Sequence, residues 1–151
     1  VSEELRELYQ EVILDHSKRP RNFRDLPAAN RQAEGFNPLC GDKATVYLKV
    51  ADDVVEDVSF KGAGCSISTA SASMMTEALK GKTLGEAEAL FTRFHELITS
   101  DPKKAAEVAP ALGKLAAFSG VCEFPVRVKC ATLPWHTFKA ALKGEGQAKT
   151  E

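Results

Sequence analysis

The chain has 151 residues, 44% of them hydrophobic and 27% charged, the balance of a globular protein long enough to bury its own core. Its 20 basic and 21 acidic side chains nearly cancel, to a formal charge of -1, which argues against nucleic acid as a partner. No apolar run nears the roughly 20 residues that span a bilayer, so no membrane partner is expected.

The charged start VSEELRELYQEVILDH reads as a helix and not as a secretion signal, which points to one domain over residues 1–151 in the cytoplasm. Within it Leu5, Leu8, Tyr9, Val12, Ile13 and His16 recur at helical spacing and predict an amphipathic helix over residues 3–16. The basic, proline-punctuated HSKRPRNFRDLP ends that helix in a loop. Residues 30–37 read as a short strand before Pro38, and the alternation from Ala44 to Val50 reads as a second. ADD then makes a turn, and VVEDVSFKG returns as a third strand.

After GAGC the period changes. Ile67, Ala70, Met74, Ala78 and Leu79 mark one face of a helix rich in small residues, closed by Gly81. Leu84, Ala87, Leu90, Phe91, Phe94, Leu97 and Ile98 define the next. SDPKKAAEVAPALGKLAAF predicts a short helix, a break at Pro110 and a second short helix. The final helix is expected from about Cys130 or Leu133 to Leu142, with Pro134 in its first turn, and the polar KGEGQAKTE frays. The fold class is therefore α+β: a small antiparallel three-stranded sheet with helices packed on one side.

In a reducing compartment the four cysteines, Cys40, Cys65, Cys122 and Cys130, are not expected to pair as disulfides. They form no C-x-x-C pair, so packed thiols, metal ligands and reactive thiols all remain open. Three fall at joints: Cys40 in the loop entering a strand, Cys65 between a strand and a helix, Cys130 where a loop meets the last helix. Such positions are reachable by solvent, and a helix N-terminus favours a nearby thiolate. Gly41, Gly62 and Gly64 allow the backbone to turn tightly around them.

Four blocks carry a resemblance. LYQEVILDHSKRPRNF, NPLCGD, GAGCSISTAS and RVKCATLPWHT, in that order, resemble the U-type iron–sulfur cluster assembly proteins (IscU/SufU-like) from about Leu8 to Leu142. The resemblance implies a SufE/IscU-like fold and a metal held by Cys40, Asp42, Cys65 and Cys130. Scaffold members carry a histidine directly before the third cysteine, where this chain has Lys129. They also carry a Leu-Pro-Pro-Val-Lys stretch read by a chaperone, where this chain has EFPVRVKC. Residues 100–120 resemble instead the insertion of the SufU-like branch.

That branch implies zinc as cofactor, a cysteine desulfurase as partner and downstream iron–sulfur assembly machinery as recipient. The implied function is a zinc-dependent sulfur acceptor with Cys40 as the catalytic thiol. The alternative is a scaffold that holds an iron–sulfur cluster transiently. Three thiolates and one carboxylate suit Zn²⁺ in type, and four protein ligands leave no open position for a hydrolytic water. Their formal charge with the ion is about -2, which Lys43, Arg127 and Lys129 are placed in sequence to offset.

The remaining candidates have plainer readings. Cys122 reads as a packed thiol, and Met74 and Met75 read as core. His16 packs inward or favours its helix dipole, and His95 is solvated. His136 could approach Cys130 only if the helix start were irregular, so the case for a Cys/His dyad is weak. Lys18, Arg19, Arg21 and Arg24 form either a solvated loop or a docking surface, and Arg127 either a counter-charge or, by the resemblance, a partner contact.

Overall fold

The computed structural model describes residues 3–38 and 40–149. Helix α1 (Glu3–Lys18) leads into strands β1 (Arg31–Asn37), β2 (Asp42–Ala51) and β3 (Val54–Ala63). Helices α2 (Ser66–Leu79), α3 (Leu84–Thr99) and α4 (Pro102–Val108) follow, then a 3-10 segment (Ala109–Glu123), helix α5 (Pro125–Leu142) and a short strand β4 (Gln147–Lys149). Among the described residues, no helix is long and apolar enough to cross a membrane.

The sheet runs β3-β2-β1-β4, with β1, β2 and β3 mutually antiparallel. Along β2 the residues Asp42, Ala44, Val46, Leu48 and Val50 are buried, whereas Lys43 and Lys49 between them are exposed. That alternation of period two means one face carries the helices and the other meets solvent. The β2–β3 connection is Asp52-Asp53, both with positive φ (52° and 59°), as a two-residue hairpin turn that follows the strand twist requires. Short polar side chains tolerate that conformation best after glycine.

The core lies between sheet and helices. Phe94 stacks on Trp135 at 4.6 Å between centroids and meets Phe118 edge-on at 5.6 Å. The buried indole Nε1 of Trp135 donates to Ser71 Oγ at 3.2 Å, and Ser71 donates to the Ala131 carbonyl at 2.6 Å. Small residues on α2 (Ala70, Ser71, Ala72, Ser73) are all buried and let neighbouring helices approach closely. Thr83 and Glu86 close the start of α3 with a reciprocal capping box.

Three expectations need correction. Helix α5 begins at Pro125, not near Cys130, and Pro134 lies inside it. Pro125 occupies the first turn, where a missing N–H is harmless, and so is the true start signal. Pro134 cannot donate to the carbonyl four residues back, yet the helix continues because Ala131, Leu133, Trp135 and Phe138 are all buried there. Burial overrides the proline.

The expected break at Pro110 is displaced. Helix α4, capped by the Asp101 side chain on the Lys104 N–H at 2.9 Å, passes into the 3-10 segment with Pro110 in its first turn, and the kink falls at Gly113 (φ 56°). The tail also does not simply fray. Gln147–Lys149 adds a parallel fourth strand to β1, and the Glu34 N–H donates to the Gly146 carbonyl at 2.9 Å. The open edge of β1 offers unpaired backbone groups that the tail satisfies.

Candidate metal centre

Asn37 and Asp42 form the last pair of the β1–β2 ladder, and Cys40 and Gly41 lie in the connection between them. Gly41 adopts φ 70°, which lets the chain turn into β2 just after the exposed Cys40. Asp42 opens β2 on the helix-facing side and is fully buried. A buried carboxylate is costly unless its oxygens are bonded. Its Oδ1 accepts the Cys65 backbone N–H at 2.9 Å, and the Asn37 Nδ2 lies 3.4 Å from Oδ2.

Gly64 makes that approach possible. A Cβ there would sit 2.8 Å from Asp42 Oδ1, inside any normal contact. Cys65 follows as the N-cap of α2, its sulfur accepting the Ser68 N–H at 3.4 Å. Cys130 enters from the second turn of α5 and is buried. Its Sγ lies 3.4 Å from Cys40 Sγ and 3.8 Å from Asn37 Nδ2.

The ligand atoms of Cys40, Asp42 and Cys130 all lie within 4.8 Å of one another. Zinc–sulfur bonds of about 2.3 Å in a tetrahedron put neighbouring sulfurs roughly 3.7 Å apart, so the three donors fit such an ion in type and spacing. Burial first, then the adjoining Asp42, Cys40 and Cys65 side chains, push the Cys130 thiol well above the usual range. A cation would have to displace its proton on binding. The Cys65 sulfur stands outside the group of three, held by its helix cap.

Of the four expected donors the fold thus gathers three and sets the fourth beside them. Solvent reaches Cys40 and Cys65, but not Cys130. The reason is the early start of α5, which moves Cys130 from a loop-to-helix joint into a packed turn. The sequence marks Asn37 only as the last residue of the short strand before Pro38, with nothing to single it out as a site residue. Gly64 reads from the sequence only as a turn residue, whereas its role is to make room for a carboxylate 22 positions earlier in the chain.

The profile of the NifU-like N-terminal domain matches residues 8–131, most of the chain. The chain belongs to that family. A Streptococcus pyogenes relative named iron–sulfur cluster assembly scaffold protein IscU is 41% identical over 145 residues, covering 96% of this chain and 89% of that protein. A Bacillus subtilis relative named zinc-dependent sulfurtransferase SufU is 42% identical over 140 residues, covering 92% of each. A solved structure of a candidate iron–sulfur cluster assembly scaffold for the SUF system of Fervidobacterium islandicum is 34% identical. It superposes with a TM-score of 0.77, covering 93% of this chain and 99% of that one. The expected family and α+β fold are borne out.

Several arginines of this NifU-like domain find their own partners. Lys43 follows Asp42 on β2 and so points to the opposite, solvent face, which removes it as a counter-charge to the centre. The Arg127 guanidinium lies 4.6 Å from the centre of the Phe124 ring, and Lys129 is half-buried. In the basic loop, Arg19 and Arg21 pair with Asp15, and Arg24 pairs with Asp57 at 3.0 Å. These arginines tie the loop to the body of the domain.

Cys122 is a partly buried thiol donating to the Ser119 carbonyl at 3.3 Å, and burial raises its pKa. His16 is buried, with Nδ1 2.7 Å from Ser73 Oγ and Nε2 3.6 Å from Glu77. His95 is half-buried and not simply solvated: it stacks on Phe91 and meets His136 edge-on at 5.7 Å. That places His136 in an aromatic cluster with α3, not in a dyad with Cys130.

Proposed function

We propose that this NifU-like domain binds one zinc ion through Cys40, Asp42, Cys65 and Cys130 and accepts sulfur on Cys40 from a cysteine desulfurase in the cytoplasm. It passes that sulfur to downstream iron–sulfur assembly machinery. The observation that carries this reading is the pairing of an exposed and a buried thiol, Cys40 and Cys130, 3.4 Å apart beside a buried carboxylate. Cys40 can be reached by a partner, whereas Cys130 is buried and stays fixed.

Zinc, when bound, keeps thiol ligands deprotonated near neutral pH and brings no redox chemistry of its own. Cys65 would complete the ligand set from the N-cap of α2, where its sulfur accepts the Ser68 N–H. The Cys40 sulfur attacks the terminal sulfur of the donor persulfide, forming a new S–S bond as the bond between the two donor sulfurs breaks. The desulfurase cysteine leaves as thiolate, and the proton on the transferred sulfur travels with it. No outside oxidant or reductant is consumed. Asp42 holds its place, anchored through the Cys65 N–H.

A second reading, a scaffold for a transient iron–sulfur cluster, is favoured by the name of the Streptococcus pyogenes relative. Elemental analysis of protein purified without added metal separates the two. Colourless protein with one zinc per chain supports sulfur transfer, and brown protein carrying iron and sulfide supports the scaffold. Protein with neither contradicts both.

A further inference from the structure

Asn37 ends β1 opposite Asp42, at the base of the loop that carries Cys40. Its side chain is fully buried, a costly position for an amide unless its polar atoms are paired. The Nδ2 group has two hydrogens to donate. It lies 3.4 Å from Asp42 Oδ2 and 3.8 Å from Cys130 Sγ. One amide therefore bridges two donors supplied by different elements, β2 and α5. The other oxygen of Asp42 is already taken by the Cys65 N–H. Cys40, by contrast, sits exposed on the loop.

We propose that Asn37 is a positioning residue of the metal centre, holding the Asp42 carboxylate and the Cys130 sulfur in one fixed mutual orientation. The N–H···O contact sets which lone pairs of the carboxylate remain for an ion, and the N–H···S contact draws charge from the sulfur. The two ligands then stay together as a unit while Cys40 is the donor that exchanges. This inference rests on the reading of Asp42 and Cys130 as ligands.

The test compares wild type with Asn37→Leu, which keeps the volume without the donor, and Asn37→Ser, whose hydroxyl is too short to bridge both partners. Zinc affinity is measured by chelator competition, and the centre is then loaded with Co²⁺ for absorption spectra. Removing an outer partner of a metal ligand lowers affinity by about 10–100-fold, so that loss is expected in both variants, with displaced thiolate-to-cobalt charge-transfer bands. If Asn37→Leu does not fold, Asn37→Ser decides on the same two readouts. A role confined to closing the hairpin would lower the melting temperatures of metal-free and zinc-loaded protein equally, leaving affinity and spectrum unchanged. That result would overturn the inference alone. Wild-type protein that binds neither zinc nor cobalt would overturn the metal-centre reading, and this inference with it.

Discussion

Replacing Gly64 with alanine adds a single methyl group whose carbon would lie 2.8 Å from Asp42 Oδ1, 3.3 Å from its Cγ and 3.3 Å from Ser68 Oγ. The first distance is well inside ordinary contact, so carboxylate or backbone must move by several tenths of an ångström. Neither can do so freely. Asp42 is fully buried, and the same Oδ1 accepts the Cys65 N–H at 2.9 Å. Overpacking of this kind costs about 1–3 kcal/mol, and a buried group pushed off its partner costs a similar amount. Taking about 2 kcal/mol as the net effect, the metal-free protein should melt roughly 4–8 °C lower, at 2–4 °C per kcal/mol for a domain this size. Zinc affinity should fall by about 10–100-fold, because the support that orients a ligand is displaced. Differential scanning fluorimetry with and without chelator measures the first effect, and competition with a chromogenic chelator the second. An alanine variant with wild-type melting temperature and wild-type affinity would refute the packing argument.

Cys130→Ser should lose zinc binding and sulfur acceptance together, since a weak oxygen donor replaces a thiolate, whereas Cys122→Ser should keep both; metal analysis showing the reverse pattern would contradict the ligand set. Burial, chiefly, lowers the pKa of His16 despite the opposing Glu77 and Asp15, with Arg21 and Lys114 adding to the lowering. Burial likewise lowers His136, aided by His95 and Lys139. The unfolded chain therefore binds more protons once the pH falls below about 6.5, so metal-free protein should lose stability on acidification from pH 7.5, levelling off below the lowered folded values. Urea midpoints at pH 7.5 and pH 5.5 check this, and His136→Phe should flatten the dependence while keeping the ring contact with Phe91.

Much of this was legible because local signals agreed with the fold. The alternation through β2 and the Asp52-Asp53 turn are period-two and backbone signals that need no distant partner. The blocks NPLCGD and GAGC point to Cys40, Asp42 and Cys65 through the resemblance they carry. Other features arise only from long-range packing. Pro134 resembles a helix start, yet packing of Leu133 and Trp135 carries the helix through it, from a start that Pro125 marks. That false signal hides the burial of Cys130. Asn37 and Gly64 gain their meaning from a carboxylate brought to them by strand register and by the return of β3, which no reading of spacing along the chain reveals. Lys43 shows the converse: adjacency in sequence placed it beside Asp42, and the pleat turned it away.

The central claim is that Cys40 receives sulfur. Zinc-loaded protein is incubated with a cysteine desulfurase and L-cysteine, trapped by alkylation, digested and analysed by mass spectrometry, alongside a Cys40→Ser variant tested for desulfurase binding. An added sulfur atom on the peptide containing Cys40, with acceptance lost but binding kept in the variant, is the predicted result. Added sulfur found reproducibly on Cys65 or Cys130, or acceptance undiminished in Cys40→Ser, would contradict it.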